Sequence, residues 1–184
     1  MNAVFTVICA GLLAIERVTY WFAWTRPGRF RARVRRVRGG SADDPVAALR
    51  TLFYAFKAIQ IGVLLGWCAW FGETWLPVPE APLPVLAPGV ALLVFGQVLN
   101  VGVMLRLGDD GVFYGNRFGR PVAWQTGFPF SLFAHPQYLG AALSVWGFML
   151  AMRYPHPDWI VLPLISSIYY VLGARLESRI PARG

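Results

Sequence analysis

Three long apolar segments constrain the fold of this chain more than any other feature. They cover residues 3–24, 49–71 and 84–105. Each is close to the length of about 20 apolar residues that a helix needs to cross the hydrocarbon core of a bilayer. Hydrophobic residues make up 57% of the 184 in the chain, which is more than one soluble core can cover. Each segment is therefore interpreted as a transmembrane helix.

Two further apolar segments follow at 137–152 and 159–176, and the tight turn between them indicates a helical hairpin. Residues 106–136 precede this hairpin and contain arginine, aspartate, asparagine and many glycines, so this stretch is too polar to cross a membrane. The sequence thus predicts an all-α integral membrane protein. We expect a single membrane domain over residues 1–184 with about five transmembrane helices.

Arginine residues are distributed unevenly among the predicted loops. The formal net charge is +8, and seven arginines fall within 26–38, directly after a helix that ends in aromatic residues. The stretch 106–136 and the C-terminal tail are also basic, whereas residues 72–83 contain no lysine or arginine. Because basic loops stay in the cytoplasm, we expect the N-terminus outside and the stretch 106–136 inside. The excess of arginine over lysine is typical of GC-rich bacterial genomes and favours a bacterial inner membrane.

Several other functions are disfavoured by the same composition. The arginine cluster beside a membrane helix indicates a topological anchor, so no nucleic-acid partner is expected. Cys9 and Cys68 lie inside apolar segments and suggest neither a disulfide framework nor a metal site. His135 and His156 fall on opposite sides of the predicted membrane, so no metal is expected. No obligate protein partner is evident.

Ionisable residues inside apolar segments are costly and are therefore functional candidates. Glu16 and Arg17 lie near the inner end of the first helix and are interpreted as a neutralised pair. Lys57 is expected to extend to the same membrane interface. Glu177 ends the last helix at the level of the polar stretch, and it is open whether this carboxylate is interfacial or belongs to a site.

A second group of candidates begins the predicted fourth helix with the sequence HPQYLG. Pro136 suits the first turn of a helix, where free backbone N–H groups favour an anion such as a cofactor carboxylate. Gly140 would let a ligand approach the backbone closely. We expect His135, Tyr138 and Gly140 to line one cytoplasmic cavity together with Glu177.

Four motifs occur in order in the C-terminal half of the chain: LGDDGVFYGNRFG at 107–119, FPF at 128–130, HPQYLG at 135–140 and YYVLGARLE at 169–177. Together they resemble the phosphatidylethanolamine N-methyltransferase (phospholipid methyltransferase) family. More distantly, the last two resemble isoprenylcysteine carboxyl methyltransferases. The resemblance covers about residues 90 to 180, whereas the first half is similar only in its hydropathy.

The resemblance implies that the cofactor is S-adenosylmethionine and that residues 106–136 are a cytoplasmic cofactor-binding stretch. The family holds this cofactor partly by a Gly-x-Gly in the third helix and partly by a Glu-Glu pair at the end of the last. This chain retains Gly96 of the first motif and Glu177 of the second. The cofactor-binding residues implied by the resemblance are Gly96, Gly108, Gly111, Tyr114, Gly115, Asn116, Phe128, His135, Pro136, Tyr138, Gly140 and Glu177.

The implied reaction is N-methylation of phosphatidylethanolamine, and of its mono- and dimethyl forms towards phosphatidylcholine. The lipid amine must first lose a proton, and the candidate catalytic bases are His135 and Glu177. Aromatic side chains of the polar stretch are candidate cation–π partners for the methylated ammonium groups: Phe113, Tyr114, Phe118, Trp124 and Phe128. Two alternatives stay open. One is methylation of another apolar nucleophile, a thiol or isoprenylcysteine carboxylate, on the same scaffold; the other is a non-catalytic lipid-binding membrane protein.

Overall fold

Six α-helices form the computed structural model, which describes residues 2–39, 44–72, 78–123 and 125–179. In chain order they are α1 (Ala3–Thr25), α2 (Pro27–Arg38), α3 (Pro45–Phe71), α4 (Leu83–Val112), α5 (Pro136–Arg153) and α6 (Val161–Arg179). Short 3₁₀ helices occupy Gly115–Phe118 and Pro157–Ile160, and the described part of the chain contains no strand. The all-α prediction is confirmed.

Four helices are long and apolar enough to cross a membrane by length and composition: Ala3–Thr25, Pro45–Phe71, Leu83–Phe118 and Pro157–Ser178. The fifth predicted span corresponds to α5. Among the described residues, α5 is not one of the helices that meet the length and hydropathy criteria for a membrane span. It has 18 residues and, at 1.5 Å per residue, a length of about 27 Å. The prediction of an integral membrane protein is confirmed, with four strongly apolar helices where about five were expected.

Two elements differ from the sequence-based expectation. The arginine-rich segment after α1 forms helix α2 and not a loop, because Phe30 and Val34, one turn apart, are buried in a core cluster while most of the arginines stay exposed. Helix α4 continues past its predicted end at residue 105 to Val112. It is kinked at Gly108, whose φ of 59° is accessible to glycine at little cost.

Successive membrane helices run in opposite directions, and this brings α2, the polar stretch and the end of α6 together. Arg117 donates to the carbonyl of Trp24 at the end of α1, and Arg31 of α2 donates to the carbonyl of Phe118 at 2.8 Å. Arg120 binds Asp44, which caps α3, at 2.8 Å. We call this region, where α1, α4 and α6 end and α3 and α5 begin, the polar end.

The Asp44 carboxylate is held in its charged form at the polar end. Partial burial raises its pKa, but hydrogen bonds from the backbone N–H of Ala47 and from the Arg120 guanidinium outweigh that effect, so the pKa lies below its usual range. The ion pair that ties the polar stretch to α3 is therefore intact at neutral pH.

The opposite end of the molecule is organised by Arg153, whose side chain is 2% exposed. Its guanidinium donates to Glu80 at 2.8 Å, to Asp158 at 2.9 Å and to the carbonyl of Phe71 at 3.0 Å. Trp67 of α3 donates to the same Asp158 at 2.9 Å. One buried cation thus joins α3, the segment before α4, the end of α5 and the start of the α6 region.

Replacing Arg153 with methionine is expected to destabilise the fold strongly. The change leaves Asp158 and Glu80, whose side chains are 13% and 28% exposed, without their cation. The upper limit of the loss is about 3–5 kcal/mol, the value for one partner of a fully buried pair. The measurement is thermal unfolding in detergent. Arg50→Met is the matched control, because Arg50 pairs with Asp109 through half-exposed side chains and such pairs contribute about 0–1 kcal/mol. Equal shifts in the unfolding temperature of the two variants would contradict the organising role given to Arg153.

Candidate functional site

A cavity of about 1380 Å³ opens among the membrane helices and extends to the polar end. Its walls come from α1, α3, α4, α5 and α6 and from the polar stretch. A pocket for one small ligand usually has about 300–1,000 Å³. The cavity is therefore large enough to hold more than one ligand.

Glu177 lies in this cavity near the end of α6. Its Oε1 accepts a hydrogen bond from the hydroxyl of Tyr114 at 2.5 Å and another from the hydroxyl of Tyr138. Its Oε2 has no hydrogen-bond partner among the residues that the structure describes. The carboxylate therefore keeps one oxygen available for a ligand.

Tyr114 reaches Glu177 from a constrained backbone. It follows α4 with φ 61° and ψ 34°, a left-handed conformation that is an outlier for a bulky side chain. Its ring contacts Trp24 at 5.0 Å and Tyr20 at 5.6 Å between centroids, while its hydroxyl is fixed by the carboxylate. Backbone strain of this kind persists only where surrounding contacts over-determine it, and it is frequent at functional sites.

The start of α5 supplies the neighbouring wall. The helix begins at Pro136, one residue before the predicted start at 137, and His135 is its N-cap residue. The Nε2 atom of His135 lies 3.1 Å from the hydroxyl of Ser178, the residue after Glu177. The cavity is lined by His135, Tyr138 and Glu177. The contact of His135 with Ser178 joins residues 43 positions apart, and that of Tyr138 with Glu177 joins residues 39 positions apart.

A buried ionic cluster lines the cavity beside this carboxylate. Glu16 is 7% exposed and pairs with Arg17, as the sequence suggested. The Lys57 ammonium lies 3.7 Å from the Glu16 carboxylate and donates to Gln60 at 2.9 Å. Helices α1 and α3 pack side by side and Glu16 attracts Lys57, a contact that the sequence did not predict, while the expectation that Lys57 extends to the membrane interface stays a prediction. Its charge was the only sequence signal, and periodicity alone could not pair the two helices.

Trp24 adds an unsatisfied donor to the same cavity. Its side chain is 7% exposed, and its indole Nε1 is buried without a hydrogen-bond partner within the described chain. A buried donor in this state is unfavourable by about 1–3 kcal/mol.

Gly96 and Gly140 do not line the cavity; they face each other between α4 and α5. A Cβ on Gly96 would lie 2.5 Å from the carbonyl oxygen of Gly140, and one on Gly140 would lie 2.6 Å from that of Gly96. Gly89 and Gly147 meet in the same way further along the two helices. The close approach expected at Gly140 is therefore made by the backbone of α4.

The remaining predicted cofactor residues divide between the cavity and its supports. Gly111 and Asn116 line the cavity. Gly108 forms the kink of α4, and Gly115 sits in a tight turn where a Cβ would meet the Asp110 carbonyl at 2.6 Å. Phe128 is 38% exposed and lies outside the cavity lining.

The aromatic residues of the polar stretch behave differently from one another. Tyr114 lines the cavity, whereas Phe113 and Phe118 are buried in the core cluster that also contains Phe30. A cation–π role for Phe113 or Phe118 towards a ligand in the cavity is therefore not supported. Trp124 lies outside the described residues.

Comparisons with known proteins point to one family. The family model described as phospholipid methyltransferase matches residues 85–182. Phosphatidyl-N-methylethanolamine N-methyltransferase of Arabidopsis thaliana is 32% identical over 162 residues, which are 87% of this chain and 84% of the plant protein. The protein of the same name from Saccharomyces cerevisiae is 35% identical over 107 residues, or 58% of this chain and 46% of the yeast protein.

A mammalian relative matches a shorter segment. Phosphatidylethanolamine N-methyltransferase of Rattus norvegicus is 31% identical over 90 residues, or 48% of this chain and 44% of the rat protein. The chain thus spans most of the plant relative but less than half the length of the yeast and rat relatives. No solved structure matches it.

Adding a single methyl group at Gly96 is expected to weaken the fold. Gly96→Ala forces α4 and α5 apart, and overpacking of this kind is unfavourable by about 1–3 kcal/mol. Gly62→Ala in α3 is the matched control, since a Cβ there meets nothing within 4 Å and alanine favours a helix by about 0.5–1 kcal/mol. Thermal unfolding in detergent measures both. If Gly96→Ala is as stable as Gly62→Ala, the close approach is wrong.

Proposed function

The chain belongs to the phospholipid methyltransferase family, and we propose that it transfers methyl groups from S-adenosylmethionine to the amine of phosphatidylethanolamine and of its mono- and dimethyl forms. One observation carries the proposal. Glu177, held by Tyr114 and Tyr138, presents a free carboxylate oxygen inside a cavity large enough for a cofactor and a lipid headgroup. The names of the relatives favour a phospholipid acceptor over a thiol or an isoprenylcysteine carboxylate.

The residues present fit S-adenosylmethionine. The Oε2 atom of Glu177 is available to a cationic amino group, and the free backbone N–H groups that follow Pro136 favour a carboxylate. When bound, the cofactor supplies a methyl group that is already activated on a sulfonium.

The protein must then supply a neutral amine in a water-poor site. If the lipid amine has a pKa near that of lysine, removing its proton at pH 7 costs about 4 to 5 kcal/mol. Apolar walls lower that cost by disfavouring the ammonium. We assign the proton to His135, which contacts the neighbouring Ser178, or, if Glu177 does not hold the cofactor, to Glu177 Oε2, directly or through water. Tyr114 and Tyr138 keep the carboxylate oriented while it acts.

The same proposal places the polar end in the cytoplasm. Exposed arginines of α2, among them Arg29, Arg33 and Arg35, surround this end, and an excess of arginine marks cytoplasmic loops. The cofactor then enters from the cytosol and the lipid from the cytoplasmic leaflet. In a bacterium this membrane is the inner membrane.

Removing the charge of Glu177 is expected to weaken cofactor binding with little loss of stability. Glu177→Gln keeps an acceptor for the two phenols but removes a charge-assisted contact, so the affinity for S-adenosylmethionine should fall about tenfold or more. Calorimetric titration in detergent measures the affinity, and thermal unfolding without ligand measures stability. Asp109→Asn is the control, because it removes a negative charge at the polar end outside the cavity.

Two other results for Glu177→Gln have defined meanings. Normal cofactor binding without transfer of labelled methyl groups to phosphatidylethanolamine would make Glu177 the base and not a cofactor ligand. Normal binding together with normal transfer would refute the role assigned to this residue.

Cysteine labelling tests the orientation. Arg35→Cys lies on α2, and Val78→Cys lies at the opposite end, where Val78 is 57% exposed. An impermeant maleimide applied to intact spheroplasts is expected to label the second variant only. Both native cysteines are buried and provide a low background. Labelling of Arg35→Cys alone would reverse the proposed topology.

A further inference from the structure

Three ionisable residues that precede the family-matched segment form a cluster with excess positive charge. Glu16 and Arg17 belong to α1 and Lys57 to α3, whereas the family model begins at residue 85. One carboxylate faces two cations, with Arg17 paired directly to Glu16 and Lys57 at 3.7 Å from it. If each group carries its ordinary charge, the cluster has a net charge of +1.

This excess charge is unfavourable in an apolar span. An arginine or lysine near the centre of a membrane helix costs about 2.5–3.5 kcal/mol on insertion scales. Side-chain exposure is 16% for Arg17 and 29% for Lys57, so water satisfies neither fully. Glu16 neutralises only one of the two positive charges, so the cluster as a whole, including the guanidinium of Arg17, still needs an anion.

Aromatic rings hold that guanidinium in place. It lies over the rings of Tyr20, Tyr138 and Tyr170 at 5.3, 5.5 and 5.0 Å from their centroids. Rings stabilise the cation but accept few hydrogen bonds, and within the described residues the only carboxylate that binds Arg17 is Glu16. A guanidinium carries five N–H donors, so it retains donors for a ligand.

Tyr138 connects this cation to the carboxylate of Glu177. Its ring lies under Arg17, and its hydroxyl donates to Glu177 Oε1. The cavity therefore presents a positive group and a negative group on two sides of one phenol. A zwitterionic headgroup, with a phosphate and an ammonium a few bonds apart, has the complementary arrangement.

A second, smaller cavity gives the same residues access from the side of the bundle. It has a volume of about 260 Å³, lies between α1 and α6, and reaches Arg17, Tyr138 and Glu177. Its outer wall is apolar and includes Val18 and Leu172, which are 59% and 57% exposed on the surface of candidate membrane helices. An acyl chain fits such a wall, whereas a soluble anion gains nothing from it.

We propose that Arg17, in a cluster where one carboxylate serves both Arg17 and Lys57, binds the phosphate of a phospholipid headgroup that enters between α1 and α6. The headgroup amine then extends past Tyr138 towards Glu177. This assignment rests on the proposed function for the identity of the lipid. It gives the N-terminal helices a substrate-recognition role that is separate from cofactor binding.

Equilibrium binding of three ligands tests the assignment in detergent. The first is a short-chain phosphatidylethanolamine, the second an alkylamine without phosphate, and the third glycerophosphoethanolamine without acyl chains. The native protein is expected to bind the first most tightly. Arg17→Gln removes a hydrogen bond to the charged phosphate, and Lys57→Gln leaves Glu16 to cancel the charge of Arg17. Each variant should therefore bind this lipid about tenfold more weakly, or worse. Both variants should bind the alkylamine and S-adenosylmethionine as the native protein does.

Two further variants control for charge and folding. Arg17→Lys keeps the cation and should retain most of the preference for the phosphate lipid. Arg50→Met removes a cation from the same helix as Lys57 but outside the cavity, and it should bind all ligands normally. If Arg17→Gln does not fold, Lys57→Gln decides, because Lys57 is the more exposed of the two cations.

Each contrary result overturns the assignment in a different way. If the Arg17 and Lys57 variants lose S-adenosylmethionine binding as much as lipid binding, Arg17 binds the cofactor carboxylate and not a lipid phosphate. An equal loss for the phosphate lipid and the alkylamine would exclude a phosphate contact. Equal affinity of the native protein for glycerophosphoethanolamine and for the lipid would show that the acyl chains contribute nothing and that the ligand is a soluble anion. A native protein that prefers the phosphate lipid but transfers no methyl group would refute the proposed function and leave this binding site intact.

Discussion

Two phenol hydroxyls that share one oxygen of Glu177 are the interaction on which the site depends. Tyr114 comes from the segment after α4, Tyr138 from α5 and Glu177 from α6, so the contact joins the three C-terminal elements at the polar end. A carboxylate near a helix C-terminus is opposed by the helix dipole by about 0.3–1 kcal/mol. The two donors compensate for that effect, and they also leave the second oxygen directed to other partners. One oxygen of this side chain thus stabilises the fold, and the other is the atom to which the proposed ligand contact is assigned.

The glycine contacts between α4 and α5 make that arrangement possible. Gly89 and Gly96 on α4 face Gly147 and Gly140 on α5, and both pairs are seven residues apart along their helices. Lipid provides no hydrophobic driving force for helix association, so membrane helices associate by close packing, which small residues allow. With α4 and α5 in contact, the space between them closes, and the cavity forms instead against α1, α3 and α6. The glycines thus determine the position of the cavity although they do not line it.

Much of the fold follows from sequence because hydropathy and helix-start signals are local. Apolar length predicted the membrane helices, and Pro136 marked the start of α5 within one residue. The meeting of His135, Tyr138 and Glu177 followed from the order of the spans and from the family resemblance. Helix α2 was not predicted because its apolar face consists of only two buried residues, Phe30 and Val34, among many arginines. The glycine pairing and the contact of Lys57 with Glu16 were missed because which helices touch is a tertiary property that periodicity does not encode.

The charges of the cavity show how its two halves complement each other. The segment matched by the family model contains α4, α5 and α6 with the carboxylate, whereas the cationic cluster comes from α1 and α3. Neither half encloses the cavity alone, since its walls include residues of both. A buried cation that lacked an anion and a buried carboxylate that lacked a cation would each be unfavourable in lipid. Because they lie on two sides of Tyr138, the proposed zwitterionic headgroup would stabilise both together, and this gives the ionisable residues of the N-terminal helices a role in a membrane span.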